Sequence, residues 1–220
     1  MLRKAWLLFS ALVILFSVGS LPTWACMGPN VLFQEDFSDA DLSWDTNSFD
    51  TSSSTIEDGH LTLKAHNGGG IMILDNAVNL HDADFCSELT ETALATPDGP
   101  AGSVIFYAQD YATYYEIIFS APNYFKVGHA HDNAYDTLVD WRQSNAANCA
   151  AGQKFKVRVL MKGPRVSFFV NGTSLGGLTV TPPTAGSKIG FAMDSVSKNP
   201  AEAVLQVDNI KITDIAPAAK

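Results

Sequence analysis

Apolar and polar residues alternate in short stretches along the chain from about residue 31 onward. Leu61 and Leu63 alternate with polar neighbours, and residues 155–160 repeat this pattern. A period of two places every second side chain on one face, which is typical of a half-buried β-strand. Asn171-Gly172 follows the apolar stretch 166–170 and predicts a tight hairpin, because both residues tolerate a positive φ.

Beyond the N-terminal region, no stretch of about ten residues or more keeps a helical period. About 12 to 14 short strands are separated by turn-rich segments, without an internal repeat or a linker. The sequence therefore predicts an all-β protein built as a two-sheet antiparallel jelly-roll sandwich. We expect a single domain over residues 26–220, with its core at about residues 31–214.

The first 25 residues have the layout of a secretory signal. Arg3 and Lys4 precede an almost uninterrupted apolar run over residues 5–21, and small residues lead up to Ala25. This order predicts a signal peptide over residues 1–25 and a secreted or periplasmic location. The alternative is a transmembrane anchor, since the run approaches the length of a membrane-spanning helix.

Three cysteines add constraints to this picture. Cys26 stands where a lipoprotein signal places its lipidated cysteine. Lipidation of Cys26 is therefore one alternative, and ordinary cleavage after Ala25 is the other. Cys86 and Cys149 lie inside the domain, and an oxidising compartment predicts a disulfide between them. The alternative for this pair is two buried, unpaired thiols.

The charge balance disfavours one class of partner. The chain has 14 Lys and Arg residues against 23 Asp and Glu residues, a net charge of −9. Cleavage after Ala25 removes Arg3 and Lys4, which leaves 12 cations against 23 anions and a net charge of −11. Nucleic-acid binding depends on Lys and Arg contacts to phosphate, so no nucleic-acid partner is expected.

Most of the domain resembles the concanavalin A-like lectin/glucanase superfamily, which includes the laminin-G-like jelly rolls. It is most similar to bacterial 3-keto-disaccharide hydrolase and family-16-like domains. The segments that carry the resemblance are 36–38, 101–106, Asp110, 114–117, 137–141, Ser144, 155–159, 168–172 and 207–209. These are strand and turn patterns, which specify a fold better than a chemistry.

The resemblance implies that the first and last strands lie side by side. Asp36 would then approach Asp208 and Asn209, whose oxygens suit a structural Ca²⁺ ion. The alternative is that these side chains cap strand ends through hydrogen bonds to the backbone. Beyond this calcium ion, no cofactor is expected.

No catalytic residue is predicted. The family's retaining glucanases carry their carboxylates on one face of one strand, where alternation brings them about 5 Å apart. The nearest pattern here is Glu88-Leu89-Thr90-Glu91, and an offset of three directs Glu88 and Glu91 to opposite faces.

The stretch His129-Ala130-His131-Asp132 is the most suggestive chemically. In an extended segment His129 and His131 share one face, a spacing that could hold Zn²⁺. Two ligands are too few, however, and no third is evident. Residues 128–136 are polar and loop-like, so two solvated histidines are the alternative.

Six tyrosines and Trp141 fall between residues 107 and 141. Aromatic rings beside polar groups suit sugars, although several of these rings are expected to fill the core. The residues expected to bind a ligand are Trp141 and Tyr111, with Asp110, His129, His131 and Asp132 as polar partners.

The leading hypothesis is an exported, non-catalytic β-sandwich module that binds carbohydrate or another cell-envelope or extracellular ligand. Membrane contact would be limited to the signal or a lipid anchor. One alternative, implied by the resemblance, is a glycoside or 3-keto-sugar hydrolase. The other is a structural envelope protein.

Overall fold

The computed structural model describes residues 26–39, 43–92, 101–120, 122–147, 152–195 and 202–215. The predicted signal peptide and Cys149 lie outside these ranges, and the signal peptide stays a prediction. The described residues form fourteen strands: β1 (Val31–Glu35), β2 (Ser52–Glu57), β3 (His60–Ala65), β4 (Gly70–Leu74), β5 (Ala83–Thr92), β6 (Ala101–Ala108), β7 (Tyr114–Ser120), β8 (Tyr124–His131), β9 (Ala134–Gln143), β10 (Lys154–Lys162), β11 (Arg165–Val170), β12 (Thr173–Thr179), β13 (Lys188–Asp194) and β14 (Ala203–Thr213).

The strands form two antiparallel sheets. Sheet A has eight strands in the order β12-β11-β10-β5-β14-β3-β2, and β1 pairs with the C-terminal half of β14 beside β3. Sheet B has six strands in the order β4-β13-β6-β7-β8-β9. The predicted all-β jelly-roll sandwich is confirmed. In the described ranges, no helix is long and apolar enough to cross a membrane.

The core lies between the two sheets because alternate residues of each strand point inward. In β10 the side chains of Phe155, Val157 and Val159 are buried, while the residues between them are partly exposed. Phe155 of sheet A meets Phe119 of sheet B with ring centroids 5.4 Å apart. The period of two therefore produces one apolar layer shared by both sheets.

The predicted adjacency of the first and last strands is also present. Glu35 at the end of β1 pairs with Ile210 of β14. A β-bulge falls between Asp208 and Lys211 on the other edge of β14, and Asn209 within it has a φ of 49°. An extra residue in one strand accounts for this local distortion.

Cys86 forms its disulfide with Cys26, not with Cys149 as predicted, and the Cα atoms are 5.8 Å apart. The pairing follows from strand order, because β1 and β5 flank the same half of β14. Cys26 precedes β1 and so reaches Cys86 on β5. A sulfur in a disulfide cannot also carry a thioether-linked lipid, so the bridge and lipidation of Cys26 are alternatives.

A buried ion pair lies beside the disulfide. Arg158 donates from Nε and Nη2 to the two carboxylate oxygens of Asp84, at 2.7 and 2.9 Å. The backbone N–H of Met27 donates to the same carboxylate at 3.0 Å. The segment next to Cys26 is thus held to β5 by hydrogen bonds as well as by the covalent bond.

Glu91 is a carboxyl group with 0% exposure on the inner face of β5. The backbone N–H of Gly102 donates to its Oε1 at 3.1 Å, while Oε2 has no hydrogen-bond partner among the described residues. Burial raises the pKa of Glu91 to about 8, and the Gly102 hydrogen bond only partly opposes this shift. The group is therefore protonated at neutral pH.

Loss of the disulfide should destabilise the protein. The bridge spans a sequence separation of 60, for which the chain-entropy model gives roughly 4 kcal/mol. Cys26→Ser and Cys86→Ser should each lower the free energy of urea unfolding by about 2–5 kcal/mol. Cys149→Ser is the matched control and should leave it within about 1 kcal/mol of the parent. A large loss in the Cys149 variant alone would contradict the Cys26–Cys86 pairing.

Glu91 should make stability depend on pH. Between its usual pKa of 4.5 and its folded pKa of about 8, the unfolded chain releases a proton that the folded chain retains. The free energy of unfolding should therefore fall as pH rises through this window. Glu91→Gln cannot ionise, so urea unfolding from about pH 5 to about pH 8 should show a shallower fall for this variant. Equal slopes for both proteins would refute the assignment.

Candidate functional site

The predicted ligand residues lie in three separate places. Asp110 and Tyr111 belong to the turn between β6 and β7, and His129, His131 and Asp132 lie at the β8–β9 hairpin. Trp141 lies on β9, the edge strand of sheet B opposite β4, and is 38% exposed. The structure does not bring Trp141 together with Tyr111, which faces a pocket at the β4 edge.

Asp110 has a local structural role. Its Oδ1 accepts hydrogen bonds from the backbone N–H groups of Ala112 and Thr113, both at 2.8 Å. This is the side-chain to backbone pattern of a turn-forming aspartate. The carboxylate therefore shapes the turn that presents Tyr111.

Tyr111 lines a pocket of about 500 Å³, here called the aromatic pocket. Its lining residues are Asp45, Thr46, Asn47, Phe49, Gly70, Ile71, Met72 and Tyr111. Phe49 and Tyr111 are 63% and 48% exposed. Two accessible aromatic rings thus share one concavity with a carboxylate and an amide.

The loop that carries Asp45 and Phe49 is anchored by its own tryptophan. Trp44 is 3% exposed, and its ring packs against Phe37 at 6.0 Å and Phe191 at 5.8 Å. The Phe49 N–H donates to the carbonyl oxygen of Ser52 at 2.7 Å. A buried ring and backbone hydrogen bonds therefore fix where the exposed Phe49 side chain emerges.

Hydrogen bonds hold the polar side of the aromatic pocket. Asn76 Nδ2 donates to Asp45 Oδ2 at 2.9 Å, and the Tyr111 hydroxyl donates to the same oxygen at 3.5 Å. Lys188 Nζ donates to Asn76 Oδ1 at 2.6 Å. Burial and the nearby Asp45 carboxylate raise the pKa of Tyr111, so its hydroxyl stays a proton donor.

The aromatic pocket adjoins the outward face of sheet B. Met72, in its lining, packs on the outward-facing apolar group Leu74, Ile105, Ala108 and Ala192. Tyr114 packs on this group as well. Met72 of the pocket and Tyr114 of β7 therefore pack against the same small apolar cluster.

Glu116 lies at the centre of that face and is only 6% exposed. The Tyr135 hydroxyl donates to its Oε1 at 2.8 Å from two strands away. Gly128 of the intervening strand leaves room for this ring, since a Cβ there would lie 1.9 Å from the Tyr135 hydroxyl oxygen. Burial raises the pKa of Glu116, and the Tyr135 hydrogen bond opposes the shift in part.

The histidines occupy a hairpin, so the loop-like interpretation of residues 128–136 was wrong. Strand β8 continues to His131, and Asp132 and Asn133, with φ of 48° and 60°, form a two-residue turn. In the pairing that follows, Asp136 lies opposite His129. Polar residues on an exposed edge hairpin resemble a loop in sequence, which is why the strand was missed.

The hairpin supplies the ligand that the sequence pattern lacked. His131 Nε2 is 2.9 Å from Asp136 Oδ2, and potential ligand atoms of His129, His131 and Asp136 lie within 4.8 Å of one another. Burial and the neighbouring His131 lower the pKa of His129. The hydrogen bond to Asp136 raises the pKa of His131.

These histidines border a cleft of about 390 Å³ at one end of the sandwich, here called the end cleft. The other lining residues are Tyr107, Gln109, Thr113, Tyr115, Asp132, Thr181 and Pro183. The His129 ring stacks on Tyr115 with centroids 3.9 Å apart. The end cleft is therefore polar and partly aromatic.

The residues predicted to hold calcium all have protein partners. Asp208 forms an ion pair with Lys154 at 2.8 Å, and Asn209 Nδ2 donates to Glu88 at 3.3 Å. Asp36 accepts a hydrogen bond from the Ser38 N–H at 3.0 Å. Only the Asp36 contact is a side-chain to backbone hydrogen bond of the strand-capping kind, and calcium binding stays a prediction.

Glu88 and Glu91 point in opposite directions, as their offset predicts. Glu88 faces outward and contacts Lys154 at 3.2 Å and Lys156 at 2.9 Å, while Glu91 is buried in the core. These two residues therefore cannot act as a catalytic carboxylate pair.

Sequence reasoning missed Asp45, Phe49 and Asp136, and it did not predict the burial of Glu116. Phe49 lies in a Ser-, Asp- and Asn-rich segment that has no strand pattern. A large apolar residue in such a segment indicates an exposed ring. Asp136 could have been found only from the hairpin register. The burial of Glu116 gave no signal in the sequence pattern, because it depends on Tyr135 from another strand.

No protein-family model matches the sequence, and a search of curated proteins finds no match. Many solved structures are similar in fold, among them the following three. A carbohydrate-binding module, CBM66 from Bacillus subtilis, has a TM-score of 0.58 at 16% identity, covering 78% of this chain and 96% of its own. A Bacillus licheniformis β-glucanase has a TM-score of 0.62 at 11% identity, and the match covers 83% of this chain and 98% of the glucanase. A Bacillus subtilis protein of unknown function with a galectin-like fold has a TM-score of 0.63 at 10% identity. The match covers 88% of this chain and 100% of that protein.

At these low identities, the structural similarities establish the fold alone, which is a two-sheet antiparallel jelly roll.

Proposed function

We propose that this protein is an exported, non-catalytic carbohydrate-binding module whose sugar binds in the aromatic pocket. The observation that carries the proposal is the exposed ring pair of Phe49 and Tyr111, 63% and 48% exposed, beside Asp45 and Asn47. Sugar rings present apolar C–H faces to aromatic rings and hydroxyl edges to carboxylates and amides. The fold shared with a carbohydrate-binding module supports the same conclusion.

The pocket is organised before a ligand arrives. Trp44 anchors the loop, Asp110 shapes the Tyr111 turn, and Asn76 orients the Asp45 carboxylate at 2.9 Å. Preorganised side chains lose little conformational entropy on binding. The site therefore suits a neutral sugar bound by stacking on Phe49 and Tyr111, with Asp45 accepting hydroxyl hydrogen bonds.

Export rests on the signal-like N-terminus and agrees with the Cys26–Cys86 disulfide. A secreted or periplasmic location would place the aromatic pocket where extracellular or cell-envelope glycans occur. We therefore expect polymeric or surface-attached glycans as the ligands.

A glycan array probed with the purified protein tests the proposal. Tyr111→Ala and Phe49→Ala should each weaken binding to the recognised glycan about tenfold or more, because each removes a stacking surface. Trp141→Ala is the matched control: its ring is also exposed but lies at the opposite edge of sheet B, so binding should be unchanged. Binding that is lost only in the Trp141 variant would move the site to β9, and no glycan binding at all would overturn the proposal.

A second candidate is glycoside hydrolysis, and Glu116 is the observation that favours it. Its burial keeps a carboxyl group protonated more readily than in water, as a general acid requires. The nearby Asp194 carboxylate also raises the pKa of Glu116 and is the available second carboxylate. Tyr135 covers Glu116, however, so a substrate would have to displace this hydroxyl.

Reducing-sugar release from array-positive glycans distinguishes the candidates. The module should show no release above a buffer blank, with Glu116→Gln and the parent giving equal values. Turnover by the parent that Glu116→Gln abolishes, with glycan binding retained, would establish the hydrolase instead.

A further inference from the structure

We propose that His129, His131 and Asp136 bind a divalent transition-metal ion, with Zn²⁺ as the best fit, at the mouth of the end cleft. Potential ligand atoms of the three residues already lie within 4.8 Å of one another. Two imidazoles and one carboxylate form a ligand set that suits zinc. This inference is independent of sugar binding at the aromatic pocket.

The ligand spacing is close to that of a metal site. His131 Nε2 and Asp136 Oδ2 are 2.9 Å apart. In a tetrahedral zinc site with bonds of about 2.0–2.1 Å, two ligand atoms are roughly 3.3 Å apart. An opening of a few tenths of an ångström would therefore bring the His131–Asp136 pair to this spacing, and a ligand atom of His129 lies within 4.8 Å of both.

The rings are held by contacts outside the ligand set. Tyr115, which is 5% exposed, stacks on His129 with an interplanar angle of 4°. The Tyr115 hydroxyl donates to the Thr181 carbonyl oxygen at 3.3 Å, which fixes the supporting ring. Supporting groups of this kind orient imidazole ligands in metal sites.

Asp132 lies next to the second histidine, His131. Its Oδ2 lies 3.6 Å from His131 Nδ1, while Nε2 of the same ring faces Asp136. A carboxylate near the nitrogen that does not bind metal is a recurring feature of zinc sites. The two aspartates also supply negative charge that would offset a dication.

The hairpin gives the site its rigidity. The two-residue turn at Asp132 and Asn133 fixes β9 against β8, and this register sets Asp136 opposite His129. All three ligands therefore come from two hydrogen-bonded strands.

Three protein ligands leave one coordination position for water or for an oxygen of a bound molecule. The end cleft, of about 390 Å³, provides room for such a molecule next to Gln109, Thr113 and Thr181. A metal ion here would add a Lewis-acidic position to an otherwise polar cleft.

Isothermal titration of the purified protein with Zn²⁺, without reductant so that the Cys26–Cys86 disulfide stays intact, tests the proposal. The parent should bind one ion. Asp136→Asn, His129→Gln and His131→Gln should each weaken binding tenfold or more. His81→Gln and Asp140→Asn are matched controls outside the ligand set and should keep the parent affinity.

Co²⁺ provides a second readout that does not depend on affinity alone. The parent should show the visible absorption bands of tetrahedral Co²⁺, and Asp136→Asn should lose them. Because the Asp136 side chain is 61% exposed, its variant should keep the parent's unfolding temperature in the absence of metal. No Zn²⁺ binding by the parent, or equal binding by all the variants, would overturn the metal site.

Discussion

The last strand, β14, is the element on which the rest of the structure depends. It pairs along one edge with β5 and along the other with β3 and then β1. Hydrogen bonding within sheet A therefore joins the beginning, middle and end of the chain. Such pairings have high sequence separation and form at a large loop-closure cost. The Cys26–Cys86 disulfide reduces that cost by linking the segment before β1 to β5.

Sheet B depends on this arrangement and presents the candidate sites. Its inward face shares the core with sheet A, and the candidate sites lie on its outward face and in the turns at its ends. The aromatic pocket is formed by a loop anchored through Trp44 and a turn shaped by Asp110. The end cleft is formed by a hairpin and Thr181. Both sites thus combine loop or hairpin residues with strand residues of the sandwich.

The alternation of apolar and polar residues was sufficient to predict the fold class. Residues 155–160 alternate because only one face of β10 meets the core, and Asn171-Gly172 forms the predicted turn. The disulfide partner was not predictable, since two candidate cysteines existed and only strand order brings Cys26 to Cys86. Local pattern thus determined the strands, and tertiary pairing determined the bridge.

The candidate sites were predictable only in part. Tyr111 and the histidines have local signals, in ring type and in His-x-His spacing. Asp136 does not, because its relation to His129 is set by the cross-strand register of β8 and β9. Glu116 likewise depends on a hydroxyl that arrives from another strand. Contacts between strands such as these cannot be predicted from a short segment of the sequence.

The crossing of Tyr135 over Gly128 also protects the free edge of sheet B. An exposed edge strand such as β9 is prone to slip or to recruit another chain. A slip of one residue would turn Tyr135 to the opposite face and leave the nearly buried Glu116 carboxyl without its donor. Misalignment would therefore cost the hydrogen bond to a buried carboxyl group. The Tyr135–Glu116 contact thus favours the correct alignment of β9 with β8.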